Sequence, residues 1–195
     1  MDIYQPLPVD FYQQDTLELA KSLIGCMLVH ETTAGISAGA IVETEGYLGA
    51  ADKAAHWFKY RHTKRTEVMF GAPGHAYTHT MHTHCLINVV SGAIGEPESV
   101  LIRALEPLTG IDLMLQRRPV NKLPLLTNGP GKLTKAMGIS MAAYGHSFLQ
   151  PPIWIAVPRV KPKITTGKRI GIDGSGEAKD YPYRFWAANH PFVSK

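Results

Sequence analysis

Glycine and proline divide this sequence into short segments, and this division limits the folds that the chain can adopt. The chain of 195 residues contains 18 glycines and 14 prolines. The clearest apolar run, from Leu23 to Val29, is far shorter than the roughly 20 residues of a membrane-spanning helix. Short elements with irregular connections are typical of α+β proteins, whereas a parallel α/β protein alternates strands and helices regularly. We therefore predict a single α+β domain over residues 1–195, without a membrane span.

The composition favours a cytoplasmic protein. Hydrophobic residues make up 45% of the chain, which is enough to fill a core without disulfides or a structural metal. Cys26 and Cys85 lack the dense, even spacing of a secreted disulfide scaffold, so we expect reduced thiols. Asp2 and Asp10 stand where a secretion signal would carry basic residues. We expect a cytoplasmic location, at the nucleoid if the protein is bacterial.

Capping signals and apolar patterns predict the main elements. Asp15 and Glu18 have the spacing of a capping box, which begins a helix that ends near Gly25. Residues 26–31 and 36–45 are rich in Val, Ile and Met and are separated by a short turn, so they predict a strand pair. Further strands are predicted at residues 100–105, 153–157 and 183–187, and further helices from about residue 111 to before Pro119 and over residues 132–137.

Two glutamates lie in the strand predicted over residues 36–45. Side chains two residues apart on a strand face the same way, so Glu43 and Glu45 project together, with Tyr47 beyond them. They are either ordinary surface carboxylates on a solvated edge or, as the apolar flank indicates, buried groups. Buried carboxylates need a partner or a catalytic role.

Arg103 interrupts the apolar strand predicted over residues 100–105. A guanidinium cannot lose its charge, so Arg103 requires an anion in the fold, and Glu43 or Glu45 can supply it. The pair could be purely structural. Alternatively, the carboxylate could act as a general base on a water that the guanidinium orients.

Positive charge and aromatic residues occur together in one predicted loop. Lys and Arg outnumber Asp and Glu by 20 to 16, a net charge of +4. The loop interleaves aromatic with basic residues: Trp57, Phe58, Tyr60, Arg61, Lys64 and Arg65. Base stacking and phosphate contacts use these two residue types. The pattern fits a nucleic-acid contact, although a solvated basic loop would have the same composition.

A histidine cluster invites a zinc interpretation. Its members are His75, Tyr77, His79, His82, His84 and Cys85. Imidazole and thiolate are the usual zinc ligands. On one strand, however, His75 and His79 would face opposite to His82, and a tetrahedral site would need a sharp bend between Met81 and Thr83. We therefore expect no metal, and keep a noncatalytic nucleic-acid-binding or zinc-binding module as the alternative to an enzyme.

Ordered motifs along the chain resemble the alkyladenine (3-methyladenine) DNA glycosylase family. They are residues 41–49 (IVETEGYLG), Asp52 with residues 54–56 (AAH), Met69-Phe70, Pro73-Gly74, Tyr77, Asn88, residues 101–107, residues 128–133 (NGPGKL), Arg169 with residues 170–172, and Arg184-Phe185. The resemblance extends from Phe11 to Val193. It implies an α+β fold with a curved antiparallel sheet, flanked by helices and long loops, and a protruding hairpin that inserts into DNA.

The resemblance also implies an activity. Such an enzyme flips alkylated or deaminated purines out of double-stranded DNA and hydrolyses the N-glycosidic bond, which leaves an abasic site for base excision repair. It is monofunctional, and the resemblance implies no cofactor and no metal. We expect a monomer whose partner is duplex DNA that contains damaged purines.

Roles at the reaction centre follow from the same resemblance. Glu45 would be the general base, while Arg103 and the backbone carbonyl of Ile170 would hold the attacking water. Tyr47 would stack on the flipped base. His56 would meet that base through its backbone amide, with Tyr77 fixing its imidazole.

The remaining site residues would select the base and hold the duplex. Asn88 would crowd the exocyclic amine of normal guanine. His79 and His82 replace two tyrosines of the animal enzymes, the second stacking wall and the wedge inserted into the duplex. The residues expected to intercalate or to contact the DNA backbone are His82, Leu101, Arg61, Lys64, Arg65 and Lys132. Since histidine titrates near pH 6.5, we also expect the charge of His79 to change in the working pH range.

Overall fold

One antiparallel sheet of eight strands organises the part of the chain that the structure describes. The structure is a computed structural model and describes residues 4–158 and 160–194. The strands are β1 (Met27–Thr32), β2 (Gly35–Tyr47), β3 (Ala76–Met81), β4 (His84–Ser91), β5 (Glu98–Thr109), β6 (Ile153–Ala156), β7 (Ile164–Gly167) and β8 (Arg184–Ala187). The helices are α1 (Thr16–Ser22), α2 (Ile111–Arg117) and α3 (Pro130–Met137). Short 3₁₀ helices lie at Val9–Gln13, Phe58–Tyr60, Glu67–Phe70, Leu123–Leu125, Met141–Ala143 and Gly176–Asp180.

The long strand β2 lies at the centre of the sheet. One edge of β2 pairs with β5, while its other edge pairs first with β1 and then, near its end, with β8. The sheet order is β3-β4-β5-β2-β1-β6, and β7 joins through β8. Every pairing is antiparallel, and the predicted α+β class is confirmed. The pairing of β2 with both β5 and β8 brings distant segments together at the glutamate end of β2.

Local signals placed most elements correctly. The Asp15 carboxylate accepts a hydrogen bond from the N–H of Leu17 at 3.0 Å and begins α1, but Glu18 pairs with Lys21 instead of closing a capping box. Helix α2 ends two residues before Pro119, and α3 ends at Gly138, which has a left-handed φ of 75°. Both cysteines are free thiols.

The sequence patterns did not predict the β3–β4 hairpin. His82 and Thr83 form its two-residue turn, with positive φ angles of 48° and 84°. Glycine or asparagine usually occupies such a turn, so His-Thr carried no hairpin signal. The chain therefore does bend sharply where the zinc interpretation required it to.

The core lies mainly between the sheet and the helices. Its fully buried side chains include Leu19, Leu28, Ile87, Ile102 and Phe148. A separate apolar cluster around Trp57, Met69 and Tyr77 includes side chains of β3 and β4, the two strands at one edge of the sheet. No helix in the described ranges is long and apolar enough to cross a membrane.

Candidate active site

Glu43 and Glu45 are both completely buried on β2. Each has 0% exposure, so the alternative of two solvated edge glutamates is wrong. Irregularities in the β2–β5 register lie on both sides of Glu43, where the strand bulges. Both carboxylates reach the same guanidinium, that of Arg103 on β5. The predicted need of Arg103 for an anion is therefore confirmed.

The Glu45 carboxylate accepts two hydrogen bonds and forms one ion pair inside the fold. Its Oε1 accepts a hydrogen bond from the N–H of Ile170 at 2.7 Å. Its Oε2 accepts one from the Tyr47 hydroxyl at 2.9 Å and lies 3.2 Å from Nη1 of Arg103. Burial raises the pKa of Glu45, and the charge of Arg103 together with the two hydrogen bonds only partly opposes the shift. Glu45 is thus a carboxylate with increased proton affinity, as a general base requires.

The Ile170 contact differs in detail from the expectation. The resemblance implies a water held by the backbone carbonyl of Ile170, whereas the group that touches Glu45 is the N–H of that residue. This N–H fixes one oxygen of the carboxylate. The role of the carbonyl stays a prediction.

A small cleft contains about 70 Å³ of free space. Glu45 is not among its lining residues, but Tyr47, Arg103 and Ile170, which contact Glu45, are. The predicted residues among those that line it are Tyr47, His56, Tyr77, His79, Asn88, Leu101, Arg103 and Ile170. They come from β2, β3, β4, β5 and two loops, so the sheet gathers residues that are up to 123 positions apart in the chain. The structure therefore brings together the base-pocket residues that the sequence proposed.

The aromatic wall of the cleft is a hydrogen-bonded group. Nδ1 of His56 lies 2.8 Å from the Tyr77 hydroxyl. The His79 ring stacks on Tyr77 with centroids 5.3 Å apart and meets the His56 ring edge to face at 4.6 Å. The side-chain amide of Asn88 donates to the carbonyl of Tyr77 at 3.0 Å. These contacts fix the orientation of the rings that face the cleft.

Both histidines of this wall are neutral near pH 7. Burial, together with the nearby Arg65, lowers the pKa of His56 to about 4. Burial, His56 and Arg65 lower the pKa of His79 to about 3. The expectation that His79 changes its charge in the working pH range is therefore wrong, because a partly dry site beside a guanidinium disfavours a second cation.

Arg65 also selects the tautomer of His56. Its Nη2 lies 3.5 Å from Nε2 of His56, and a guanidinium can only donate. Nε2 is therefore the acceptor, and the proton of the neutral ring is on Nδ1, facing the Tyr77 hydroxyl.

The residues predicted to contact DNA differ in their exposure. His82, Arg61, Lys64 and Arg65 are exposed, His82 at the hairpin tip and the others on one loop. Lys132 is half-buried, and its ammonium donates to the Asn128 side chain at 2.9 Å. Leu101 is only 6% exposed and lines the cleft. Leu101 is thus a wall of the cleft, and its contact with the duplex stays a prediction.

The histidine cluster is dispersed in the fold. Nδ1 of His75 lies 3.0 Å from the carbonyl of Ala72, His84 packs near Gly131, and His79 lies in the cleft. Within residues 4–158 and 160–194, no three His, Cys, Asp or Glu side chains converge on a position that could hold a metal ion.

Sequence reasoning assigned no role to a second buried ion pair. Arg169 donates to both oxygens of Asp52, at 2.5 and 2.9 Å, and to the carbonyl of Gly46 at 3.0 Å. Its guanidinium carbon lies 4.6 Å from the centroid of the Tyr47 ring. The pair fixes the loop that carries Ile170 and supports the back of Tyr47. Asp52 and Arg169 both belong to motifs that resemble the family, and this was the only sign in the sequence that they matter. Because 117 residues separate them, no local pattern predicted their contact.

Comparison with known proteins gives consistent matches over nearly the whole chain. The family model for methylpurine-DNA glycosylase (MPG) matches residues 10–191. An Oceanobacillus iheyensis protein with the name "Putative 3-methyladenine DNA glycosylase" is 60% identical over 192 residues, which cover 98% of this chain and 97% of that protein. Proteins of the same name from Bacillus subtilis and Shouchella clausii are 54% identical over 190 residues and 46% identical over 197 residues. These alignments cover 97% of both chains for the former, and 100% of this chain and 98% of the relative for the latter.

Proposed function

Because this chain belongs to the methylpurine-DNA glycosylase family, it is a DNA glycosylase of DNA repair and a hydrolase of N-glycosyl bonds, and we propose that its cleft receives an alkylated or deaminated purine flipped out of duplex DNA. The observation that carries this proposal is the buried carboxylate of Glu45, which contacts Tyr47, Ile170 and Arg103, three residues that line the cleft.

In the proposed reaction, Glu45 is the general base. Water attacks C1′ of the flipped nucleotide, Glu45 accepts a proton from that water, and the purine leaves with the electron pair of the N-glycosidic bond. Arg103 and the carbonyl of Ile170 orient the water. An N-alkylated purine is cationic and leaves without further protonation, so one base and one positioned water are sufficient for it.

The cleft walls supply the proposed recognition of the base. Tyr47 stacks on one face of the purine, and the neutral ring of His79 forms part of the opposite wall. The backbone amide of His56 contacts the base edge, while Asn88 excludes the exocyclic amine of guanine.

Duplex DNA is the proposed partner of the exposed hairpin and loop. His82 at the tip of the β3–β4 hairpin is the wedge that replaces the flipped nucleotide. Arg61, Lys64, Arg65 and Lys132 contact phosphates. We propose a monomer that acts on DNA in the cytoplasm, at the nucleoid if the cell is bacterial.

Glu45→Gln tests the proposed reaction. The amide keeps the size of the side chain but cannot accept the proton, so single-turnover excision should fall by about 10²- to 10⁴-fold while lesion-duplex binding is retained. The substrates are duplexes that each contain one lesion, namely 3-methyladenine, 7-methylguanine, hypoxanthine or ethenoadenine, and the assay contains a metal chelator.

Glu31→Gln is the matched control, because Glu31 is an exposed glutamate on the neighbouring strand β1. It should excise at the wild-type rate. A Glu45→Gln rate within about threefold of wild type would exclude Glu45 as the base. A complete absence of excision by the wild type on all four lesions would instead favour the noncatalytic module.

A further inference from the structure

The buried Glu43 carboxylate accepts four hydrogen bonds. Its Oε1 accepts from Nε of Arg103 at 2.9 Å, from Nε of Arg184 at 2.7 Å and from the Ser194 hydroxyl at 2.7 Å. Its Oε2 accepts from the N–H of Ser194 at 2.7 Å. These donors come from β5, from β8 and from the segment after β8. Because four hydrogen bonds already engage its two oxygens, Glu43 is not a second candidate base.

Arg103 is held on two sides before it reaches Glu45. Its Nε donates to Glu43, and its Nη2 donates to the Ser194 hydroxyl at 3.4 Å. Only Nη1 points to Glu45, at 3.2 Å. Because a guanidinium is planar and rigid, fixing Nε and Nη2 fixes the direction of Nη1. The Ser194 hydroxyl joins both halves of this arrangement, since it accepts from Arg103 and donates to Glu43.

We propose that Glu43 and Ser194 are positioning residues that aim Arg103 at Glu45 and thereby set the charge state of the catalytic base. The inference rests on the proposed role of Glu45. It assigns a function to a serine that lies 149 residues from Glu45 in the sequence and outside the cleft lining.

Charge balance explains why this support is needed. Glu43 and Glu45 are both buried and both lie against Arg103, so they compete for one positive charge. Arg184 and the two donors of Ser194 stabilise the Glu43 anion independently. The Arg103 charge then remains available to Glu45, where it opposes the effect of burial on the pKa.

The other groups that face Glu45 are the same in the wild type and in a variant at Ser194. They are the Tyr47 hydroxyl on β2, the Ile170 N–H, Arg169 behind the Tyr47 ring, and Arg184, whose β8 position pairs with that of Glu45. A variant at Ser194 removes none of them. It leaves the Arg103 guanidinium free to turn toward Glu43, which weakens its contact with Glu45.

The test is the pH dependence of excision by Ser194→Ala. The substrate is a duplex with one 7-methylguanine, because this cationic base needs no leaving-group protonation and the acidic limb then reports the base. Single-turnover rates are measured between about pH 5 and 8. With Arg103 less well aimed, Glu45 binds a proton more readily, so the acidic limb should move to higher pH by about half a unit or more. Ser194→Thr, which keeps the hydroxyl, should restore the wild-type limb.

Ser37→Ala is the matched control. Ser37 is another buried serine whose hydroxyl accepts a hydrogen bond from an arginine, Arg117, and it lies at the end of β2 opposite Glu43. Its loss should lower the thermal midpoint and leave the acidic limb unchanged. If Ser194→Ala also lowers only the thermal midpoint or the active fraction, Ser194 is structural and the inference fails.

Arg184→Lys covers the case in which Ser194→Ala does not fold. It keeps the positive charge but loses the Nε contact with Glu43, so a smaller shift of the acidic limb in the same direction is expected. An unchanged limb in this variant overturns the inference. If Glu45→Gln is inactive and both acidic limbs are unchanged, the general base stands and only the positioning role is lost. An active Glu45→Gln would remove the premise itself.

Discussion

The two imidazoles of the cleft show how a few contacts determine the charge of a site. His56 and His79 lie edge to face at 4.6 Å, with Arg65 at the outer nitrogen of His56. Either ring could hold a proton in water, but here each protonation would add a cation next to a guanidinium in a site with little solvent. A wall of neutral rings can approach a cationic alkylated purine without repulsion, which a protonated histidine could not do.

These lowered pKa values predict a loss of stability in acid. The pKa falls from 6.5 to about 3 for His79 and to about 4 for His56, so the unfolded chain binds more protons than the folded protein below about pH 6.5. Their contribution to stability is complete above that pH and is lost as the pH falls toward the folded-state values. His79→Tyr should therefore show a smaller decrease in the urea midpoint between about pH 7 and 4.5 than wild type does.

The control for this prediction is His62→Gln, which changes an exposed histidine and should follow the wild-type decrease. Only the decrease is compared, because tyrosine also changes the packing of the cleft. Equal decreases in wild type and His79→Tyr would show that His79 is protonated in the folded protein.

Single residues could be predicted where their chemistry conflicts with their surroundings. Glu43, Glu45 and Arg103 interrupt apolar strands, and a buried charge requires a partner, so a contact of Arg103 with Glu43 or Glu45 followed from the sequence. Ser194 and Arg169 could not be assigned in this way. A serine near the end of a chain and an arginine in a polar loop are ordinary surface residues until the fold places them against Glu43 and Asp52.

At the scale of elements, the β3–β4 hairpin separates the cleft from the tip that would meet DNA. Tyr77, His79 and Met81 alternate on β3 and line the cleft, while His82 lies one residue further, at the exposed turn. Strands β1 and β2 could be predicted because each contains a run of buried apolar side chains and a short turn joins them. The hairpin escaped prediction because its tip is polar and its turn residues adopt positive φ without glycine.

The hairpin tip gives a prediction about DNA structure. If His82 is the wedge, His82→Ala should weaken capture of a lesion in duplex DNA by about tenfold or more, since unstacking without a replacement costs a few kcal/mol. Excision from single-stranded DNA, which needs no wedge, should change little. Met141→Ala removes another exposed side chain outside the turn and should leave both substrates unaffected. Equal losses on the two substrates would assign His82 a role in folding the hairpin instead.

For the whole molecule, the central position of β2 explains why one strand can serve both fold and site. The first half of β2 pairs with β1, and its second half, which carries both glutamates, lies between β5 and β8. Pairing of strands so distant in the chain depends on side-chain packing across the sheet, which a one-dimensional pattern does not contain. The sequence therefore predicted the α+β class and most strands, but not the order of the sheet.

The distribution of charge leads to a prediction about binding to undamaged duplex. Arg61, Lys64 and Arg65 are exposed on one loop, and a polar hollow of about 410 Å³ beside the cleft is lined by Arg61 and Arg65. If these side chains neutralise phosphates, log affinity should fall with log salt by about 0.9 for each contact. Alanine at Arg61 or Lys64 should reduce this slope by about 1. Lys132→Ala should have a smaller effect on affinity, because a phosphate must compete with the bond from Lys132 to Asn128.

Arg65→Ala should act in two ways, because Arg65 also contacts His56. It should reduce the salt slope like the other two variants and, in addition, alter lesion excision at saturating enzyme, where binding no longer limits the rate. Lys163→Ala, which changes an exposed lysine outside both the loop and the cleft lining, should alter neither measurement. A slope near zero for the wild-type protein on undamaged duplex would exclude phosphate neutralisation as the basis of binding, and recognition would then depend on the flipped base alone.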